Sequence, residues 1–335
     1  MGIENTEFKV ESAQFEPRVS NVDITEYKQT NGIWLLDIKI GNERKEVSVF
    51  NLRDDRHKED IAKALISGEP VAAFGIGNYG LAVGIDHPRR GRFPDSWEHY
   101  WRFKPDRPKD AHIPILLPPK YWNSIIDFRK IHPKFRKMFT RENLERAYRE
   151  AVIFHIIAPT FDFAPHINHP ALITSEKGKN SVSAFWWDDP DLKEIADLAM
   201  RLDPNVLIGI SSFNDHGENP AFNYDEVIGY IIRKRRVPFK YVIRDEIGES
   251  IGVRSSHPQF KVPEKGDDPV WRVVRKGSVS VEKFLAATHL PFPVEGQEEA
   301  PFAPRSHPEK TNLDDLVDKV HRETLGDFLL RKAAQ

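Results

Sequence analysis

The residue types best suited to chemistry are gathered in Val206-Leu-Ile-Gly-Ile-Ser-Ser-Phe-Asn-Asp-His-Gly-Glu-Asn-Pro220. An apolar run delivers two hydroxyls and a carboxamide into a tight turn, where Gly217 tolerates a positive φ. Ser212 and Asn214 in such a loop can donate to phosphate oxygens and approach a Mg²⁺-bound nucleotide. The same residues also suit an ordinary turn held by Asn and Asp side chains. A second cluster, His155, Asp162, His166 and His169, places imidazoles and a carboxylate close together along the chain, and His166 and His169 have a spacing that can serve a metal. Histidine is frequent in this chain's loops, often before Pro, so loop histidines are the stronger reading and no metal is assigned. Trp97, Trp101 and the pair Trp186-Trp187 fit core or pocket walls better than base stacking.

Regular elements must hold these groups. Ile33–Ile40 and Glu46–Phe50, around Gly41-Asn42, read as a hairpin. Asp54 or Asp55 can cap a helix carrying Ile61, Ala64 and Leu65, and Gly68 ends it. Val71–Phe74, Tyr79–Ile85 and Ile113–Leu117 read as buried strands, and the pattern predicts helices over 119–130 and 140–157. Val182–Trp187 is a strand candidate. Asp189-Pro190 opens a helix with Ile195, Ala196, Ala199 and Leu202 on one face. Asn205–Ile210 is the strand that enters the Ser–Asn loop, and Asn223 with Glu226 resembles a capping box. Tyr241–Ile243, Ile251–Val253 and Val270–Val274 complete the strands, and Ser280 caps a helix to about Ala287. Alternating strands and helices indicate an α/β domain with a mixed sheet.

Composition narrows the function classes. Hydrophobic residues are 39% and charged residues 30% of the 335 residues, enough for a core and a solvated surface. Cysteine is absent, which excludes disulfides, thiolate metal sites and a cysteine nucleophile. The net charge of −2 gives no global footprint for nucleic acid. RNA binding would therefore rest on the local runs Arg89–Arg92 and Arg233–Arg236, which read first as solvated faces. No apolar run has the length of a membrane span and the N-terminus lacks a secretory pattern, so a cytoplasmic location is expected.

Ser211-Ser-Phe-Asn-Asp-His-Gly217 resembles the Thr-Ser-Ala-Asn-x-Ser-Gly loop of the YrdC family, the threonylcarbamoyl-AMP synthases and their relatives. Further short segments follow in the family's order. Leu65-Ile-Ser-Gly-Glu-Pro-Val-Ala-Ala-Phe74 and Tyr79-Gly-Leu81 are similar to its opening helix end and strands. Phe103-Lys-Pro-Asp-Arg-Pro108 is similar to its Lys-x-Arg-Pro loop, Val182–Pro190 to the strand and turn before its penultimate helix, and Val273–Ser280 to its closing Arg-Pro-Gly segment.

The resemblance covers roughly 56–290. It implies a YrdC-like open, twisted mixed sheet with flanking helices around a concave pocket. It also implies ATP with Mg²⁺ as cofactors, and bicarbonate with an amine or carbamoyl donor as small-molecule partners. The implied reaction joins a carbamate oxygen to the α-phosphorus of ATP, expelling pyrophosphate. Lys104 and Arg107 would clamp carbamate and phosphate oxygens, Ser212, Asn214 and Arg275 would bind the nucleotide, and Ser255 and Ser256 would add hydroxyls. Asn78 and Tyr79 would line the substrate pocket.

Gly75-Ile-Gly-Asn78 replaces the family's Pro-Thr-Asp-Thr stretch, the cations are spaced Lys104-x-x-Arg107, and Trp186-Trp187 stand where relatives carry an Arg. An acceptor other than threonine, with room opened by the two glycines, is therefore expected. The alternative is a non-catalytic module of the same fold that binds nucleotide or RNA. Around the domain at 56–290 the reading places an N-terminal extension with a β-hairpin at 1–55, a Pro- and Glu-rich linker at 291–311 and an amphipathic helix at 312–335.

Overall fold

The computed structural model describes residues 22–29, 32–75, 77–86, 100, 104, 113–136, 139–151, 153–162, 172–176, 178–215, 218–250, 257–277, 279–289 and 293–297. Most of the linker, the amphipathic segment at 312–335 and the strand expected at Ile251–Val253 lie outside these residues.

Fourteen strands among the described residues form one mixed sheet. They are β1 Val22–Lys28, β2 Trp34–Ile40, β3 Glu43–Asn51, β4 Val71–Gly75, β5 Asn78–Ile85, β6 Ile115–Leu116 and β7 Ile153–Pro159. Then come β8 Thr174–Glu176, β9 Lys179–Trp187, β10 Leu207–Ser212, β11 Tyr241–Arg244, β12 Gln259–Lys261, β13 Trp271–Arg275 and β14 Val294–Glu295. Their order is β1-β2-β3-β11-β4-β5-β10-β6-β9-β7-β12-β13-β14, with β8 paired to β9. Most ladders are antiparallel, while β11 runs parallel to both β3 and β4, as do β6 with β9, β7 with β12 and β13 with β14.

The helices among the described residues are α1 Lys58–Leu65, α2 Pro133–Arg136, α3 Arg141–Ala151, α4 Pro190–Leu202, α5 Tyr224–Lys234, α6 Glu246–Ser250 and α7 Val281–Thr288. Their starts are local. Asp189 accepts from the Asp191 and Leu192 amides at 3.0 Å each, Asn223 from Glu226 at 2.9 Å, and Ser280 from Lys283 at 3.2 Å. Helices flank both faces of the sheet. On one, α1 presses on β5, where a Cβ added to Gly84 would lie 2.8 Å from the Leu65 carbonyl oxygen. On the other, α3 and α7 both cover β7, with Phe154 stacked on Tyr148 at 4.0 Å and edge-on to Phe284 at 5.0 Å.

Two expectations fail here. Residues 119–130 are not an α-helix but two 3₁₀ turns, Pro119–Ser124 and Phe128–Lys130. Asp127 accepts the Arg129 amide and so caps the second turn rather than continuing a helix. The helix expected over 140–157 ends at Ala151, and 153–159 is strand β7. Every residue of β7 is buried, so its sequence shows no alternation to mark it off from the helix before it.

A register walk shows which side chains share a face. Residues opposed across a ladder project to the same side, and alternate residues along a strand do likewise. The walk runs Gly84, Ile208, Leu116, Phe185, His155 and Gln259. Ser212, Gly80, Asn78 and Gly75 belong to that same side. On a flat sheet, β4 and β9 would stand roughly 19 Å apart, four spacings of about 4.8 Å. Yet a Cβ on Gly75 would lie 3.6 Å from Trp187 Cη2, so the sheet curls and this face is concave.

Candidate functional site

Strand β10 runs through the middle of the sheet and carries Ser211 and Ser212 at its end. Three backbone bonds hold the turn that follows. Phe213 N–H donates to the Tyr79 carbonyl at 2.8 Å, Ala221 N–H to the Phe213 carbonyl at 3.1 Å, and Tyr79 N–H to the Ala221 carbonyl at 2.7 Å. The Phe213 ring is 1% exposed and packs edge-on against Tyr230 and Phe239. Asp215 ties the loop to α5 by accepting from the Tyr230 hydroxyl at 2.8 Å, and it pairs with Lys234 at 2.9 Å and with Arg236. Burial alone would raise the Asp215 carboxyl; the hydrogen bonds from Lys234 and Tyr230, with the Arg236 and Lys234 charges, hold it below the ordinary carboxylate value. Two cations of the basic run at 233–236 therefore serve the fold.

Lys104 enters this loop from a separate segment. Its amide donates to the Tyr100 carbonyl at 3.1 Å, and the residue is only 3% exposed. Its ammonium donates to Ser211 Oγ at 2.9 Å, to Asn214 Oδ1 at 3.1 Å and, at the limit of contact, to Ser212 Oγ at 3.5 Å. Ser212 Oγ donates to the same Asn214 oxygen at 2.6 Å, and Asn214 Nδ2 donates to the Glu218 carbonyl at 2.7 Å. The carboxamide is thus oriented from both ends. A cation, two hydroxyls and an amide oxygen meet at one point: the ammonium and hydroxyls are donors of the kind that anionic oxygens of a phosphate or carboxylate require, and the amide oxygen is the acceptor that gathers them. Ser211, which gives Lys104 its shorter serine contact, carries no mark of this role in the sequence. Adjacent strand residues point to opposite faces, and only the reach of Lys104 around the strand end unites them.

The remaining expected site residues lie as follows. Asn78 begins β5 and is 8% exposed, on the face shared with Ser212. Tyr79 points to the opposite side, where its hydroxyl donates to Glu249 Oε1 at 2.7 Å. Glu249 also accepts the Tyr224 amide at 2.9 Å, and burial raises both its carboxyl and the Tyr79 hydroxyl above their ordinary values. The expectation that the Tyr79 side chain lines the pocket is therefore corrected: it supports the loop through its backbone, while its ring belongs to a polar network behind the sheet. Arg275 lies on β13, five positions from β10 in the strand order; its guanidinium donates to the His257 carbonyl at 2.7 and 3.2 Å. Arg107, Ser255 and Ser256 are outside the described residues.

Of the histidine cluster, His155 stacks flat on Phe185 at 4.4 Å and contacts His257 at 3.2 Å, while Asp162 pairs with Lys130 at 2.6 Å. His155 and Asp162 therefore face different partners, and His166 and His169 lie outside the described residues. No helix among the described residues is long and apolar enough to cross a membrane.

No protein-family model matches the sequence, and no curated protein matches it. Solved structures do match the fold. Sua5 of P. abyssi complexed with L-threonine aligns with a TM-score of 0.50 at 14% identity, over 74% of this chain and 62% of that one. A doubly substituted form of the same Sua5 aligns at 0.51 and 14%, over 74% and 65%. The protein smu.1377c of Streptococcus mutans UA159 aligns at 0.52 and 11%, over 76% and 98%. This chain spans less than two thirds of the length of Sua5. With its large twisted mixed sheet and flanking helices, the protein has the YrdC-like fold of the Sua5/YrdC structures.

Proposed function

We propose that the protein activates a carbamate or carbamoyl group with ATP, forming a carbamoyl-adenylate-type product and releasing pyrophosphate. The observation that carries this reading is the convergence of Lys104, Ser212 and Asn214, 110 residues apart in sequence at the extremes, at the end of a central strand of this fold. Carbamate and triphosphate are both anionic, so joining them demands fixed positive charge and exclusion of water. The buried ammonium answers the first demand. Lys104, with Arg107, would hold carbamate and phosphate oxygens, Ser212 and Asn214 would orient the triphosphate, and Ser255, Ser256 and Arg275 would complete the nucleotide site. Hydroxyl and amide oxygens are ligand types that Mg²⁺ accepts, and the metal, when bound, would offset charge on the phosphates.

The substrate end is assigned to Gly75 and Asn78. Sua5 of P. abyssi was solved with L-threonine; here the acceptor is a different amine or carbamoyl donor, because two glycines, one apolar residue and one amide replace a stretch whose hydroxyls and carboxylate suit a small polar ligand. Pyrophosphate release from ATP, measured with and without bicarbonate across a series of amines, tests the reading. Bicarbonate-dependent release that is lost in Lys104→Ala is expected. Measurable nucleotide affinity with no turnover for any donor would replace it with a non-catalytic binding module, whose ligand, nucleotide or RNA, the same titrations would identify.

A further inference from the structure

We infer that Trp187 is a plug that closes the acceptor end of the site and restricts it to a compact, unbranched amine. The inference rests on the proposed reaction and names its substrate class. The glycines at 75 and 77, taken from the sequence alone, promised added volume. The structure fills it: Trp187 Cη2 would sit 3.6 Å from a Cβ on Gly75, at van der Waals distance. Gly75, at the end of β4, pairs with Asn78, Asn78 is two residues from Gly80, and Gly80 opposes Ser212. The indole, on the concave face, therefore lies beside Gly75, and Gly75 is at the same strand end as the Lys104 cluster, roughly 12 Å from Ser212 by strand geometry (two ladder steps of about 5 Å across and one alternation of about 7 Å along).

The plug is braced. Trp187 is 4% exposed, its ring stacks with Phe185 at 6.0 Å, and Phe185 lies flat against His155. Asn78, beside it, is 8% exposed. A branched or aromatic acceptor would have to displace an indole held by its ring contact with Phe185. A short amine would not. The reaction for the smallest case balances as H₂N–COO⁻ + ATP → H₂N–CO–O–AMP + pyrophosphate, the carbamate oxygen forming the new bond to the α-phosphorus as the bond to the β-phosphate bridge breaks.

The test compares wild type with Trp187→Ala and the milder Trp187→Leu, reading pyrophosphate release with bicarbonate and ammonia, glycine, alanine, threonine, leucine or phenylalanine. Wild type should favour ammonia, glycine or alanine over leucine and phenylalanine by at least 10-fold in kcat/KM. Trp187→Ala should raise the large amines at least 10-fold relative to the small ones, with Trp187→Leu between. Added indole should raise the thermal midpoint of Trp187→Ala and leave that of wild type unchanged. A ranking that ignores residue 187, or a wild type that prefers large amines, overturns the plug alone. No release with any donor in any variant overturns the proposed reaction and this inference together. If Trp187→Ala does not fold, Trp187→Leu and the wild-type ranking decide.

Discussion

Replacing Lys104 with Met keeps an unbranched apolar stem and removes the ammonium from the Ser–Asn loop. Two of its contacts are short, at 2.9 and 3.1 Å, and the third, at 3.5 Å, counts for little. Hydrogen bonds to a charged group contribute about 1.5–3 kcal/mol each, so the two short ones amount to roughly 3–6 kcal/mol. Against this stands the burial of an ammonium in a residue only 3% exposed, which costs several kcal/mol. The Ser212 hydroxyl still satisfies Asn214 Oδ1 after the change. The two large terms nearly cancel, and the variant should unfold in urea within about 1.5 kcal/mol of wild type. The proposed binding of ATP has no such cancellation. Losing one charge-assisted contact to a phosphate oxygen should weaken it by about 1.5–3 kcal/mol, a roughly 10- to 150-fold rise in Kd by calorimetry. Destabilisation beyond about 3 kcal/mol with an unchanged Kd would refute the reasoning and make Lys104 a structural cation.

Asp189→Ala removes the cap of α4 and one anion from Arg53, which also pairs with Asp191 at 2.8 Å and with Asp245. Burial raises the Asp189 carboxyl and opposes the Arg53 charge, but Asp245 and Asp189 more than restore that charge, so the loss should destabilise by about 2–4 kcal/mol in urea unfolding. Glu249→Gln tests the network behind the site. Because burial raises the folded-state value of Glu249, its contribution is fully present below the ordinary glutamate range and is lost as pH rises through the raised value. The stability of the variant relative to wild type should therefore improve from about pH 4 to pH 8 in urea unfolding, and a constant difference would count against it.

The sequence by itself determined whatever depends on neighbours a few residues away. The caps at Asp189, Asn223 and Ser280 bond to amides two or three positions on, so residue type and spacing announce them. Strands β5 and β10, and the turn after β10, carry their own apolar runs and glycines, which is why the Ser–Asn loop could be placed at a strand end. Strand β7 escaped because burial on both faces erases the alternation that marks a strand.

The site was decided by tertiary structure. Lys104 alone reads as a solvated loop charge; it becomes a buried partner of Ser211 and Asn214 only because strand pairing carries two distant segments to one strand end. Tyr79 follows a strand's alternation, which sends its hydroxyl to Glu249 behind the sheet while its neighbour Asn78 remains on the concave face. Gly75 reads as open volume until the curl of the sheet lays Trp187 beside it, 112 residues on in sequence. Local patterns encode the direction in which a side chain leaves its own strand; what it meets depends on the register and curvature of strands that are far apart in the chain.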